Sequence, residues 1–231
     1  MIRSLVMIAA LGVFAAPFTQ AHAAGATPKR ARHPSTTKSA PHAASSVGAR
    51  IAARARQLIG VQDLHALNSS VPDDCTGLVR LAYEGAGINL MDGNGMSHGD
   101  NGVMILYRRA RSLGALHARP KPGDIVFFRE TYDRNRDGLR NDGLTHVGIV
   151  EQVASNGELT IVHRGSKGVA RTHMNLKRPA LHREKRSGDL VNDYLRRASG
   201  EQRAYLTGEL FAGFAAPEPW ARAARRARPL R

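Results

Sequence analysis

Apolar positions recur at helical spacing through the first half of the chain and at strand spacing through the second. Between Gly48 and Gly60, Ile51, Ala55, Leu58 and Ile59 share one face while Arg50, Arg54 and Arg56 lie outside it. That pattern predicts a short amphipathic helix. Leu78, Leu81 and Ala82 repeat the spacing after Asp73 and Asp74, either of which is a suitable N-cap, and Gly85 and Gly87 read as a stop. Val103 to Leu113 predicts a third helix with Val103, Leu106, Tyr107 and Ala110 inward, after a Gly/Asn/Asp-rich loop over 89–102. The period then changes at Arg119-Pro120-Lys121-Pro122-Gly123. Short β runs follow at Asp124–Phe128, His146–Val153 and Glu158–Arg164, the last two joined by a turn at Asn156-Gly157. A fourth strand is expected near Gly168–Met174, and residues 192–215 are expected to be helical again. Helices first and an antiparallel sheet after them make the fold class α+β.

Composition changes this picture at the two ends. Met1 to Ser4 is a short basic start, Leu5 to Phe18 is apolar, and Ala21-His22-Ala23 offers a small-residue cleavage site. Residues 1–23 therefore read as a secretory signal peptide. Residues 24–46, rich in Ala, Ser, Thr, Pro, Lys and Arg, read as a disordered basic linker. The folded domain is expected over 47–217, and 218–231 as a basic tail, disordered from Ala221 on. No later segment reaches the roughly 18 apolar residues of a membrane span. The expected destination is periplasmic or extracellular. The formal net charge of +15 favours an anionic partner surface. Export argues against a nucleic-acid role, so the anionic cell envelope is the expected partner.

Candidate chemistry centres on Cys75, the sole cysteine of the chain. An exported protein with one thiol has no internal disulfide, so the thiol is either paired between chains or kept for reactivity. Its expected place is the first turn of a helix, where unpaired N–H groups and the dipole lower a thiol pKa. Asp73 and Asp74 oppose that locally, so a histidine partner is required. His146 opens one strand and His163 closes the next, and the turn between them places both near one end of a hairpin. Seven residues separate His146 from Val153 and five separate Glu158 from His163, so an offset or a bulge is expected. In triad logic Cys75 attacks, His146 is the base and His163 orients it. A zinc site ranks lower, since the chain has no local C-x-x-C or H-x-x-H pair.

Three ordered motifs resemble one superfamily. Asp74-Cys75-Thr76-Gly77-Leu78-Val79 is similar to the D-C-S/T-G-L-V signature of NlpC cell-wall cysteine peptidases. Pro122-Gly123-Asp124-Ile125-Val126-Phe127-Phe128 resembles that family's P-G-D-L-V-F-F strand, and His146-Val147-Gly148-Ile149 its H-V-G-I strand. The hairpin also resembles the CHAP relatives, the cysteine- and histidine-dependent amidohydrolases/peptidases. The resemblance covers about residues 48–175. It implies a papain-like fold with the nucleophile helix packed on a small antiparallel sheet, His146 as base, and hydrolysis of amide bonds in the peptide stems of peptidoglycan. A third polar residue on the following strand corresponds to His163. The alternatives are an envelope-binding module without catalysis, held by calcium or charge, and an acyltransferase of the same fold. No cofactor is required by this chemistry.

One segment departs from the resemblance. Asp133, Asn135, Asp137, Leu139, Asn141 and Asp142 follow the D-x-N-x-D-G order of calcium loops, with oxygens at alternate positions and Gly138 at the turn. The twelfth position is Leu144, where an EF-hand carries glutamate. Calcium is the candidate ligand, against the alternative of a polar surface turn.

Overall fold

The computed structural model describes residues 46–91, 101–200 and 202–227. The expected signal peptide, nearly all of the linker, and most of the 89–102 loop lie outside the described residues.

Three helices come first. Helix α1 (Val47–Gln57) starts at Ser46, whose side chain accepts the Ala49 N–H, and buries Ile51, Ala52 and Ala55. Helix α2 (Cys75–Glu84) starts at Asp74, whose carboxylate accepts the N–H groups of Thr76 and Gly77. Helix α3 (Gly102–Ser112) is capped by Asn101. The remaining elements are β1 (Leu116–His117), β2 (Ile125–Arg129), β3 (Leu144–Val153), β4 (Glu158–Gly165), β5 (Gly168–Asn175), β6 (Tyr194–Arg196), β7 (Tyr205–Leu206), a single turn α4 (Thr207–Leu210), β8 (Phe211–Ala215) and α5 (Pro217–Ala227). Six strands form one antiparallel sheet in the order β1-β8-β2-β3-β4-β5, and β6 pairs with β7. The α+β class is thus observed, with the cysteine helix packed on the sheet.

Alternation along the strands separates two cores. Ile125, Phe127, Val147, Ile149 and Val162 face the side covered by the helices, where they meet Leu78, Val79, Ala82 and Tyr83 of α2. Val126, Phe128, Val150, Leu159, Ile161 and Met174 face the other side and meet Leu210 and Phe214. Each fully buried Leu, Val or Phe contributes roughly 1.5–3 kcal/mol, so α2 is held by several such contacts at once.

Two expectations are corrected. Residues 192–215 are not a helix: they form β6, β7, the single turn α4 and β8. Leu206, Leu210, Phe211 and Phe214 do recur at helical spacing, but β8 fills the place between β1 and β2, with Phe214 opposite Val126 and Ala215 opposite Ile125. Tertiary pairing overrides local periodicity there. The tail is not disordered through its length either. Pro217–Ala227 is helix α5, and it buries Trp220 with its ring edge-on to Tyr83 at 6.0 Å between centroids. Its arginines, which prompted the expectation, include Arg222, Arg225 and Arg226 on the exposed side.

Candidate active site

Cys75 is the first residue of α2 and is half-buried. Its position depends on Gly77: a Cβ there would lie 1.8 Å from the Pro72 carbonyl oxygen, so only glycine lets the preceding loop cross the helix start. The Cys75 sulfur accepts the backbone N–H of Val147, the neighbour of His146 on β3. Burial, followed by the Asp74 carboxylate, raises the thiol to about 12. This reverses the expected lowering. The helix start does offer its N–H groups, but lost solvation and an adjacent anion outweigh them.

His146 lies opposite Phe128 on β2, and His163 lies opposite Gly148 on β4. The ladder slips between Val150 and Gln152, leaving Glu151 as the extra residue. The offset expected from counting is therefore divided between a bulge and a two-residue stagger. The stagger brings His146 Nε2 to 3.0 Å from His163 Nδ1, with the rings at 85°. Gly148 makes room for this: a Cβ there would lie 2.7 Å from Ile161 Cγ2, 2.9 Å from the Val162 oxygen and 3.3 Å from His163 Cβ. Burial lowers His146 to about 3, with His163 adding to the effect, and burial lowers His163 to about 4. Both rings are thus neutral near pH 7.

Cys75 and His146 line one cavity of about 290 Å³, together with Asp74, Asn101 and Tyr132. A second cavity of about 1120 Å³ is bounded by His146, His163 and the segment from Tyr194 to Ser199. The two cavities share Tyr132, His146, Arg164 and Gly165 as walls. A thiol, an imidazole and a ring that fixes the imidazole thus meet along a continuous cleft. Such a set is equipped for nucleophilic acyl transfer.

Several residues of the site escaped the sequence reading. Arg164 binds Asp73 through two nitrogens, at 3.1 and 2.7 Å, and donates to the Gln62 carbonyl at 3.1 Å. This fork ties the loop before Cys75 to the strand end that carries His163. The available signal was the double aspartate: one caps α2, which leaves the other for a cation. Buried Glu130 accepts the N–H groups of Asp142 and Gly143 at 3.1 and 2.7 Å and closes the base of the loop that carries Tyr132. No sequence pattern marked Glu130 or Tyr132.

The Asp133–Asp142 loop is bonded mainly to itself. Asp133 Oδ2 accepts Gly138 N–H, Asn135 Oδ1 accepts Asp137 N–H, and Asp137 Oδ1 accepts Leu139 N–H. Asn141 donates to Asp137, and Asp142 Oδ1 accepts Asn135 N–H. Asp133 Oδ1 and Asp142 Oδ2 are buried without a hydrogen-bond partner. The Leu139 side chain is exposed, so only its backbone is a candidate donor to a cation. Among the described residues no group of three or more His, Cys, Asp or Glu side chains is gathered for a metal.

Residues 66–165 match the family model of the CHAP domain. Over these residues the chain is similar to the CHAP domain. The matched residues take in Cys75, His146 and His163, while the cleft wall from Tyr194 to Ser199 lies beyond them. No curated protein matches the chain. Among solved structures, NlpC1 from Trichomonas vaginalis is similar at 23% identity and a TM-score of 0.32, over 54% of this chain and 38% of that one. The chain thus spans well under two thirds of that neighbour's length. No helix among the described residues is long and apolar enough to cross a membrane.

Proposed function

We propose that this protein is an exported cysteine hydrolase that cleaves amide bonds in the peptide part of peptidoglycan. The observation that carries the reading is the shared cleft, in which Cys75 and His146 line one wall and His163 fixes His146 at 3.0 Å. With His146 Nε2–H donating to His163 Nδ1, the His146 Nδ1 lone pair is left for the thiol. The thiol is not a resting thiolate, so its proton moves to His146 as sulfur attacks the carbonyl carbon. Asp74 occupies the Thr76 and Gly77 N–H groups, so the Cys75 N–H is the one at the start of α2 left for the developing oxyanion. His146 then protonates the leaving amine. Water attacks the resulting thioester with His146 again as base. The net charge of +15 favours residence on an anionic envelope.

Purified peptidoglycan, digested and analysed by mass, tests this. Cys75→Ala and His146→Ala should each reduce fragment release at least 10³-fold, with circular dichroism unchanged. Undiminished release from either variant rejects the mechanism, and the masses from the wild type identify the bond cut.

The Asp133–Asp142 loop is proposed to take calcium weakly, because two buried carboxylate oxygens lack partners and the twelfth position has no glutamate. Millimolar calcium should raise Tm by about 2 °C, and Asp133→Ala should abolish the rise. A Tm that calcium leaves unmoved in the wild type withdraws the proposal.

A further inference from the structure

The two-histidine relay has an electrostatic problem. Both rings are half-buried and neutral, yet base catalysis places a positive charge on them at each turnover. Desolvated imidazolium needs an anion nearby. The carboxylates around Cys75 are committed elsewhere. Asp73 is forked by Arg164, and Asp74 caps α2 and accepts the Thr76 hydroxyl. Asp133 holds the turn of its own loop through Oδ2, and its Oδ1 is the oxygen assigned above to calcium.

The far side of the relay is different. His163 on β4 lies opposite Ala170 on β5, and Ile161 lies opposite Thr172. His163 and Thr172 therefore share one sheet face as diagonal neighbours, roughly 7–8 Å apart at the backbone. The buried Thr172 hydroxyl donates to Asp193 Oδ2 at 3.3 Å. The same oxygen accepts the His173 N–H at 2.7 Å and lies 3.1 Å from His173 Nδ1. The Asp193 backbone is clamped as well, donating to the His173 carbonyl and accepting the Thr207 N–H. A carboxylate is thus fixed on β5 against Thr172, the diagonal neighbour of His163, and it is held by β5 and α4 independently of the loops around the thiol. Its charge opposes the lowering of His163.

We propose that Asp193 is a positioning residue of the relay, a fixed anion that holds the charge His146 and His163 share once the Cys75 proton is taken up. The inference rests on the hydrolase reading for its purpose, but its tests do not require turnover. The relay is faced by Cys75 with Asp73 and Asp74 before it, Tyr132 and Asp133 from the loop after β2, Arg164 from β4, Tyr194 and Arg196 from β6, and Arg197 just beyond it. Arg164 is turned to Asp73, and Arg196 is held by the Glu130 carbonyl and Gln202. Asp193 is the carboxylate acting on His163 from the segment before β6, and His173 shares its oxygen.

The experiment uses the full chain, with ¹⁵N-histidine spectra assigned through His146→Gln and His163→Gln. Cys75 is the sole cysteine, so iodoacetamide reports on it alone. Asp193→Asn keeps an acceptor for the His173 N–H but removes the charge. The His163 titration should move to lower pH, and alkylation of Cys75 at neutral pH should slow about tenfold. Asp193→Glu should restore most of both. Thr172→Val should move both in the same direction by less, and it decides the matter if Asp193→Asn does not fold. On peptidoglycan, Asp193→Asn should lower kcat with KM held. Unchanged histidine titration and alkylation in a folded Asp193→Asn overturns the proposal. A wild type that releases no fragments overturns the hydrolase reading alone, because titration and alkylation still report on Asp193.

Discussion

At the scale of single residues, the thiol is governed by two opposing influences on one helix turn. The start of α2 offers N–H groups and a favourable dipole, while Asp74 sits next to the sulfur and burial removes water from it. The second pair wins and raises the thiol to about 12. Asp74 is nonetheless retained as the cap, since its Oδ1 accepts from Thr76 N–H at 2.8 Å, Gly77 N–H at 3.0 Å and the Thr76 hydroxyl at 2.6 Å. Asparagine caps a helix about as well and carries no charge. Asp74→Asn should therefore leave Tm nearly unchanged and lower the thiol pKa, speeding alkylation of Cys75 by roughly threefold or more at pH 8. The check is the pH–rate profile of iodoacetamide labelling. A profile that coincides with the wild type would mean burial alone sets the thiol.

At the scale of elements, the site is built where a helix start meets a strand start, and glycines set the spacing. The loop crossing at Gly77 admits no side chain, because Pro72 backbone occupies the place of a Cβ. Gly77→Ala should push α2 off the Pro72 loop and cost about 3 kcal/mol. Denaturant midpoints would show the loss, and a midpoint within error of the wild type would mean that the loop yields easily. This junction also marks how far sequence patterns reach. Helices α1, α2 and α3 and strands β2 to β5 were legible because each carries a complete period and a cap or turn of its own. The His146–His163 pair was legible up to its stagger, which depends on where the ladder slips; the bulge at Glu151 is held by Arg171 and Arg56 from distant elements. Strand β8 was not legible, since its apolar spacing fits a helix and only the open edge of β2 makes it a strand. Helix α5 was hidden by its arginines, although Trp220 was its one strong apolar anchor. Arg164, Glu130 and Asp193 act through contacts far along the chain, which no local pattern encodes.

At the scale of the whole molecule, the pH dependence of stability has a contributor remote from the cleft that holds Cys75 and His146. Asp124 is 1% exposed at the entrance to β2. It accepts the Lys121 N–H at 2.6 Å and lies 3.0 Å from His117 Nε2 on β1. Tyr83 of α2 donates to the adjacent Gly123 carbonyl, and Glu218 of α5 acts on Asp124 as a like charge. Burial, with Glu218 adding to it, raises Asp124 to about 7 from an ordinary 3.8. A carboxyl whose folded pKa is raised contributes stability that is complete below its unfolded value and is lost as pH rises through the folded one. The loss therefore runs from about pH 4 to about pH 7. His117, lowered by the same burial, works the other way: its contribution is lost as pH falls below 6.5. The paired carboxylates with lowered pKa, such as Glu151 with Arg171, also favour higher pH. The wild-type curve alone mixes these slopes, and the comparison with Asp124→Asn separates them. Asparagine retains an acceptor for Lys121 and offers an N–H to His117. The variant should match or fall below the wild type near pH 4 and exceed it by about 2 kcal/mol at pH 8, once His117 and partial screening are allowed for. Chemical denaturation at both pH values measures the difference. If the two curves run parallel from pH 4 to 8, Asp124 is ionised in the folded protein throughout that range, and the His117–Asp124 contact is an ion pair rather than a shared proton.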